Sequence, residues 1–207
     1  SSFWESPSKH IKKDILTFRH AGILNKYRRP NILFDGIRQF LKKNKGATNR
    51  IRFEFLGRNY AGPNSEAIKP PHDLKQIIRF QDQKDLKSTW EWMAKADVLL
   101  LLEFRFSKGI FFYAKLSDYL HTSRPILALS PQNGVVADLF KDGGGKIVAP
   151  DNADHIGDTI HEIFSLWESE NLTKITQNNS LAEMVHPKKI IPAYEEAFEF
   201  AVARAMT

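Results

Sequence analysis

Gly22 is followed closely by Lys26, Arg28 and Arg29, directly ahead of Pro30. A glycine lets a ligand approach the backbone, and a helix opening presents unpaired amide donors. An arginine offers two parallel N–H groups to a phosphate. That group supports anion binding, with a strand-ending glycine and a solvated basic turn as the alternative. A second group, Glu103-Phe-Arg-Phe-Ser107-Lys108-Gly109-Ile110, follows an uninterrupted apolar run. Gly109 is expected to lead into a helix whose free amides take a phosphate or carboxylate, with Ser107 and Lys108 beside it. Glu103 is expected either to touch a sugar hydroxyl or to cap its loop. Asp118 stands one turn into the next expected helix. A carboxylate there accepts two hydrogen bonds from a ribose diol, or simply faces solvent. His20 reads as a structural residue in preference to a catalytic one. The chain carries no Gly-x-Gly-x-x-Gly or Walker loop, no His-Glu-x-x-His pair, no Ser-His-Asp order and no clustered carboxylates. No metal or other cofactor is therefore expected.

The elements that must position these groups follow from periodicity. Ile15 to His20 is an expected strand, and Pro30 suits the first turn of a helix reaching about Lys45. Ile51 to Phe55 alternates as a strand and ends at Gly57. Asn59 to Pro71 is rich in turn formers, and Ile77 to Phe80 is a short strand. Asp85 to Ala96 is a helix bearing Leu86, Trp90 and Met93. Asp97 to Leu102 is a strand, wholly apolar after its first residue, as a central parallel strand covered on both faces must be. Then come a helix (Phe111 to His121), a strand (Pro125 to Leu129), a helix opened by Gly134, a strand (Lys146 to Val148) and a helix (Asp154 to Ser169). Leu172 to Met206 reads as helical segments broken at Pro187.

Six strands alternating with helices specify an α/β doubly wound, Rossmann-like parallel sheet with helices on both faces. Its usual strand order is 3-2-1-4-5-6, and its ligand crevice opens at the carboxyl ends of strands 1 and 4. That geometry selects the Gly22 and Glu103 loops. Residues 1–14 read as a linker, 15–185 as the single domain and 186–207 as a C-terminal helix. With no initiator Met, the chain reads as a piece of a longer protein.

Composition bounds the function classes. The chain has 207 residues, 42% of them hydrophobic and 26% charged, an ordinary globular balance. No apolar run approaches the roughly 20 residues that cross a bilayer. The absence of cysteine excludes disulfides and thiolate chemistry, and fits the cytoplasm. The net charge is +6, with basic clusters at Lys9 to Lys13, Lys26 to Arg29 and Lys42 to Arg50. These suit a solvated surface, phosphate binding, or peripheral contact with an anionic inner-membrane face. No zinc finger, RNA-binding aromatic motif or basic heptad array is present, so nucleic acid is not an expected partner.

Ala96-Asp97-Val98-Leu99-Leu100, then Lys115-Leu116-Ser117-Asp118-Tyr119-Leu120, then Arg124-Pro125-Ile126-Leu127-Ala128 occur in a telling order. Together with Gly22, Arg28, Gly134 and Gly143 to Gly145, they resemble the C-terminal domain of two-domain GT-B glycosyltransferases. The resemblance is to the retaining family 4, or group 1, sugar transferases, and it covers about Ile15 to Ile163. It implies a bacterial enzyme of polysaccharide biosynthesis whose substrate is a nucleoside-diphosphate sugar and whose acceptor is a glycan or lipid-linked saccharide. Gly22, Lys26, Arg28, Lys108 and Gly109 would face the donor diphosphate, Asp118 the ribose, and the backbone around Phe80, Gln81, Asp82 and Gln83 the base. Glu103 and Ser107 would lie near the sugar. The family's Glu-x7-Glu pair falls on Ile110 and Asp118. An N-terminal acceptor-binding domain would be the partner, so the chain alone is expected to bind nucleotide without turnover. A non-catalytic relative and a sugar-nucleotide epimerase are the competing expectations.

Overall fold

The computed structural model describes residues 14–25, 28, 30–59, 67–103, 107–141, 143–176 and 179–205, with the side chains of 179, 180 and 205 left aside. Lys26, the Lys9 to Lys13 cluster and Phe104 to Phe106 lie outside the described residues. Six strands form one parallel sheet: β1 (Leu16–Ala21), β2 (Ile51–Leu56), β3 (Ile78–Gln81), β4 (Val98–Leu102), β5 (Ile126–Leu129) and β6 (Lys146–Val148). Their order is β3-β2-β1-β4-β5-β6, as the alternation of elements predicts. β4 is buried along its whole length because helices cover both faces of the sheet.

One face is covered by α1 (Asn31–Lys43) and α5 (Ala153–Glu168). Leu33, Ile37, Phe40, Ile156, Ile160 and Ile163 lock these helices to Leu16, Phe18, Phe53 and Leu100. Each such side chain stabilises the fold by about 1.5–3 kcal/mol through burial. The two helices can approach closely because Gly36 and Gly157 meet at their contact. A Cβ on Gly36 would lie 2.3 Å from Ile156, and one on Gly157 would lie 3.0 Å from the Gly36 carbonyl. The opposite face is covered by α2 (Leu86–Ala94), α3 (Ala114–His121) and α4 (Val135–Phe140), which bury Trp92, Met93, Leu116, Tyr119 and Phe140. α6 (Asn179–Met184) adds Leu181 to that cluster, and α7 (Pro187–Ala205) runs on from it. No described helix is long and apolar enough to cross a membrane.

One expectation changes. The helix expected from Phe111 begins instead at Ala114, after an irregular lead-in at Ile110 to Tyr113. β-branched and aromatic residues are poor helix formers, and the backbone of Gly109 is tied elsewhere. Leu86 on α2 is 72% exposed. It opens α2 directly after the N-cap Asp85, whose side chain accepts from Ser88 N–H, and this first turn overhangs the end of the sheet.

Candidate functional site

Strands β1 and β4 pair only at Phe18–Val98 and Arg19–Leu99. Beyond that point they separate, and main-chain groups that would have bonded each other need other partners. Tyr119, reaching up from α3, bridges the gap. Its hydroxyl accepts from Ala21 N–H at 3.0 Å and donates to the Leu100 carbonyl at 3.1 Å. The same carbonyl lies 3.0 Å from His20 Nδ1, which must therefore carry a proton. His20 Nε2 is then a lone pair, and it faces the Lys115 ammonium at 3.5 Å. Burial, with Lys115 and Arg28 nearby, holds His20 well below the ordinary imidazole range, so it stays neutral. This is the crevice at the topological switch point.

Its floor is a pair of glycines. Gly22 and Gly57 end β1 and β2 with φ of 144° and 129°, where a side chain is strained. A Cβ at Gly57 would lie 2.7 Å from the Gly22 carbonyl, and one at Gly22 would lie 2.1 Å from Lys115 Nζ. Gly22 must be bare for Lys115 to lie against it, and Gly57 must be bare for the Gly22 backbone to pack against it.

Beside this floor is a hollow of about 430 Å³, bounded by the ends of β1 and β2, by α2 and by α3. Leu86, Trp90 and Met93 form an apolar wall, with Thr89 and Gln83 as polar points and Asp118 and Lys115 on α3. A small-molecule site has that size and that mixture of surfaces. Desolvation, together with the Arg28 charge, pulls the Lys115 ammonium down to about 7, with Asp118 opposing the shift. Burial raises the Asp118 carboxyl above the ordinary range, against the pull of His121 and Lys115. The guanidinium of Arg28 lies 5.1 Å over the ring of Tyr113, while the Arg28 amide donates to the carbonyl and side chain of Asn25. Lys115 thus lines the hollow, as Arg58 and Lys84 also do, and Arg28 stands close enough to Lys115 for the two charges to repel. Like charges so placed destabilise each other, and an anion between them relieves the repulsion.

The structure brings together Gly22, Asp118 and Lys115 around the hollow and sets Arg28 close by. It separates several other candidates. Gly109 does not offer free amides. Its N–H donates to the Asn133 carbonyl and its carbonyl accepts from Val135 N–H, and a Cβ on Gly134 would lie 2.0 Å from the Gly109 carbonyl oxygen. Ser107 lines a different hollow with Gln132, Asn133 and Asp151, and Lys108 is exposed. Glu103 is only 5% exposed. Its carboxylate accepts from Ser130 Oγ and is raised by burial, so it lies below the surface a sugar would touch. Phe80 stacks on Phe55 at 5.0 Å in the α1/α5 layer, and Gln81 pairs with Leu56. Of the stretch Phe80 to Gln83, it is Gln83 that reaches the hollow, with Lys84 beside it. Sequence reasoning passed over Lys115. It lies three residues before Asp118, one turn of helix, a spacing that sets both on one face.

No protein-family model matches the chain, and no curated protein matches it in sequence. Solved structures match its fold. HepE of Anabaena, in complex with UDP-glucose, superposes with a TM-score of 0.60 at 11% identity, over 92% of this chain and 49% of that one. The pneumococcal O-GlcNAc transferase GtfA, in complex with UDP and GlcNAc, gives 0.64 at 14% identity over 92% and 37%. The E. coli trehalose-6-phosphate protein bound with UDP-2-fluoro glucose gives 0.63 at 14% identity over 91% and 44%. The chain spans about half or less of each. At these identities the likeness is one of fold, and it agrees with the strand order and the split between β1 and β4: the chain has the Rossmann-like fold of one half of the GT-B glycosyltransferases.

Proposed function

We propose that this domain binds a nucleoside-diphosphate sugar and, in the whole protein, is the donor-holding half of a retaining, group 1 glycosyltransferase. The observation that carries this reading is the pairing of an apolar-walled hollow with two neighbouring cations, Lys115, which lines it, and Arg28, which stands close by. The nucleoside occupies the hollow against Leu86, Trp90 and Met93, and Asp118 accepts from the ribose hydroxyls. The diphosphate lies across Gly22, where no side chain intervenes, between the Lys115 ammonium and the Arg28 guanidinium. When the sugar leaves, negative charge grows on the diphosphate, and fixed cations stabilise that charge without reorganising. Donor binding on this reading needs no divalent metal, because protein cations supply the neutralising charge. A second lobe presents the acceptor, a glycan or lipid-linked saccharide. The protein on this reading is bacterial and works in the cytoplasm, at or near the inner membrane face.

The test is calorimetric titration of the chain with UDP, GDP, ADP and NAD in EDTA. One nucleoside diphosphate should bind, at least about tenfold more weakly after Lys115→Met or Arg28→Ala, since a charge-assisted contact contributes about 1.5–3 kcal/mol. The loss should be smaller after Asp118→Ala. If none of the four binds, the reading is wrong. A second reading, a nucleotide-binding module without transfer activity, is favoured by Ile110, which stands 63% exposed where the resemblance puts the first carboxylate. It is distinguished by assaying the whole protein for donor hydrolysis or transfer once the base is known.

A further inference from the structure

His20, next to last in β1, is completely buried, yet one of its ring nitrogens meets a residue that lines the hollow. The ring is held on two sides. Phe55 of β2 packs against it with centroids 6.0 Å apart, and Nδ1 donates to the Leu100 carbonyl at 3.0 Å. That bond fixes the tautomer, so Nε2 presents a lone pair. Among the described residues, the side-chain atom within hydrogen-bonding reach of Lys115 Nζ is this Nε2, at 3.5 Å. Gly22 completes the arrangement. A Cβ there would lie 2.1 Å from Lys115 Nζ and 3.6 Å from His20 Nε2, so the three residues converge on one point. The other charges that act on Lys115 are Arg28, from the loop after β1, and Asp118, one turn further along α3; Arg58 and Lys84 line the same hollow.

We infer that His20 is a positioning residue for Lys115: its Nε2 lone pair directs the ammonium across Gly22, where a diphosphate would lie. The inference rests on the donor-binding reading and goes beyond it, because it gives a function to a buried histidine that residue type alone marks as structural. A carboxylate in that place would hold the ammonium but cancel its charge. A neutral imidazole takes one of the three ammonium N–H groups and leaves the charge in force. Burial and the adjacent Lys115 and Arg28 charges keep His20 from taking up a proton, so it remains an acceptor while Lys115 titrates.

The test separates the two ring nitrogens, since asparagine mimics the Nδ1 side of a histidine and glutamine the Nε2 side. His20→Asn can keep the bond to Leu100 but has no atom that reaches Lys115. His20→Gln carries an amide oxygen out to the Nε2 position. UDP and uridine affinities are measured against pH for the wild-type chain, both variants, Lys115→Met and the His20→Asn/Lys115→Met double variant; whichever diphosphate binds replaces UDP, with its own nucleoside. Near neutral pH, His20→Asn should lose about fivefold or more for the diphosphate, with nucleoside affinity unchanged. Its affinity should also begin to fall at lower pH than in the wild type, because an ammonium without its acceptor discharges sooner. His20→Gln should recover most of the loss. The double variant should bind no worse than Lys115→Met, because two groups acting as a unit are not additive. A wild-type affinity and pH profile in His20→Asn, an equal loss in His20→Gln, full additivity in the double variant, or a parallel fall in nucleoside affinity would overturn the inference. If the wild-type chain binds no nucleotide, the donor-binding reading fails by itself. The contact is then decided by the Cε carbon resonance of Lys115, assigned by its loss in Lys115→Met. A titration midpoint that falls in His20→Asn and returns in His20→Gln supports it, and one midpoint shared by all three proteins refutes it.

Discussion

The two faces of the sheet are built from different materials. Under α1 and α5 the apolar side chains form one continuous cluster with the neutral His20 at its edge against Phe55, and the ion pairs near these helices, such as Lys43–Asp158 and Arg50–Glu168, are solvent-exposed. Under α2 and α3 the apolar cluster is interrupted by buried polar pairs. Thr17 donates its amide and hydroxyl to Asp97 at 2.8 and 2.6 Å, and Arg19 pairs with Glu54 at 2.8 Å while donating to the Trp92 carbonyl. Arg124 donates to the Ala94 carbonyl, and Tyr119 bridges the split strands. The first face supplies stability. The second gives up part of that uniformity so that Lys115 and Asp118 can stand beside an open hollow. Buried polar groups persist where each is satisfied by a partner, and they order their surroundings when they are.

The comparison is tested first where the effect should be largest. Phe53→Ala, in the apolar layer, should cost about 3–5 kcal/mol in denaturant unfolding. Nucleotide affinity of the folded fraction should be unaltered; a comparable loss of affinity would mean that the layers are not separable. Gly22→Ala should do the converse. The new Cβ meets Lys115 Nζ at 2.1 Å, so diphosphate affinity should fall by at least about tenfold, with a loss of stability of about 1–3 kcal/mol from the strained backbone.

Tyr119→Phe probes the bridge. It leaves the Ala21 amide and a share of the Leu100 carbonyl unsatisfied, for an expected loss of about 1–3 kcal/mol by urea midpoint.

The pH dependence of the hollow is carried by Lys115. Lys115 is lowered to about 7 from 10.5, so between these values the unfolded chain holds a proton that the folded chain lacks. Stability from this group therefore rises as pH increases through that window and is absent below about pH 7. Diphosphate affinity should move the other way, falling as pH rises through about 7 and the ammonium discharges. Lys115→Arg should flatten both profiles, because a guanidinium stays charged; a Lys115→Arg affinity that still titrates there would assign the effect to another group. The smallest expected effect is Asp85→Ala, which removes the α2 N-cap for about 1 kcal/mol by urea midpoint and should leave nucleotide affinity unchanged.

The fold was legible because its signals are local. The uninterrupted run at Val98 to Leu102 identifies a central parallel strand. Ile51, Phe53 and Phe55 mark a strand by alternation, and the spacing of Ile32, Leu33, Ile37, Phe40 and Leu41 marks a helix by period. The candidate site was legible only in part. Gly22, Arg28 and Asp118 were named from residue type and place in the chain. Glu103 and Gly109 were named on the same grounds, yet one is buried against Ser130 and the other is paired with the Asn133–Val135 turn. Nothing adjacent to either in sequence distinguishes a ligand contact from a packing contact.

The sequence by itself determined the alternation of strands and helices, and through it the sheet order and the crevice at its switch point. A strand or helix is encoded in residues that are neighbours along the chain, and right-handed crossovers leave few ways to arrange them. Only the tertiary structure decided what meets in the crevice. His20 and Lys115 stand 95 residues apart, and Tyr119 reaches Ala21 across 98. Those meetings depend on where β1 and β4 part and on how far α3 starts beyond Gly109, and both follow from the packing of the whole sheet and from no local pattern.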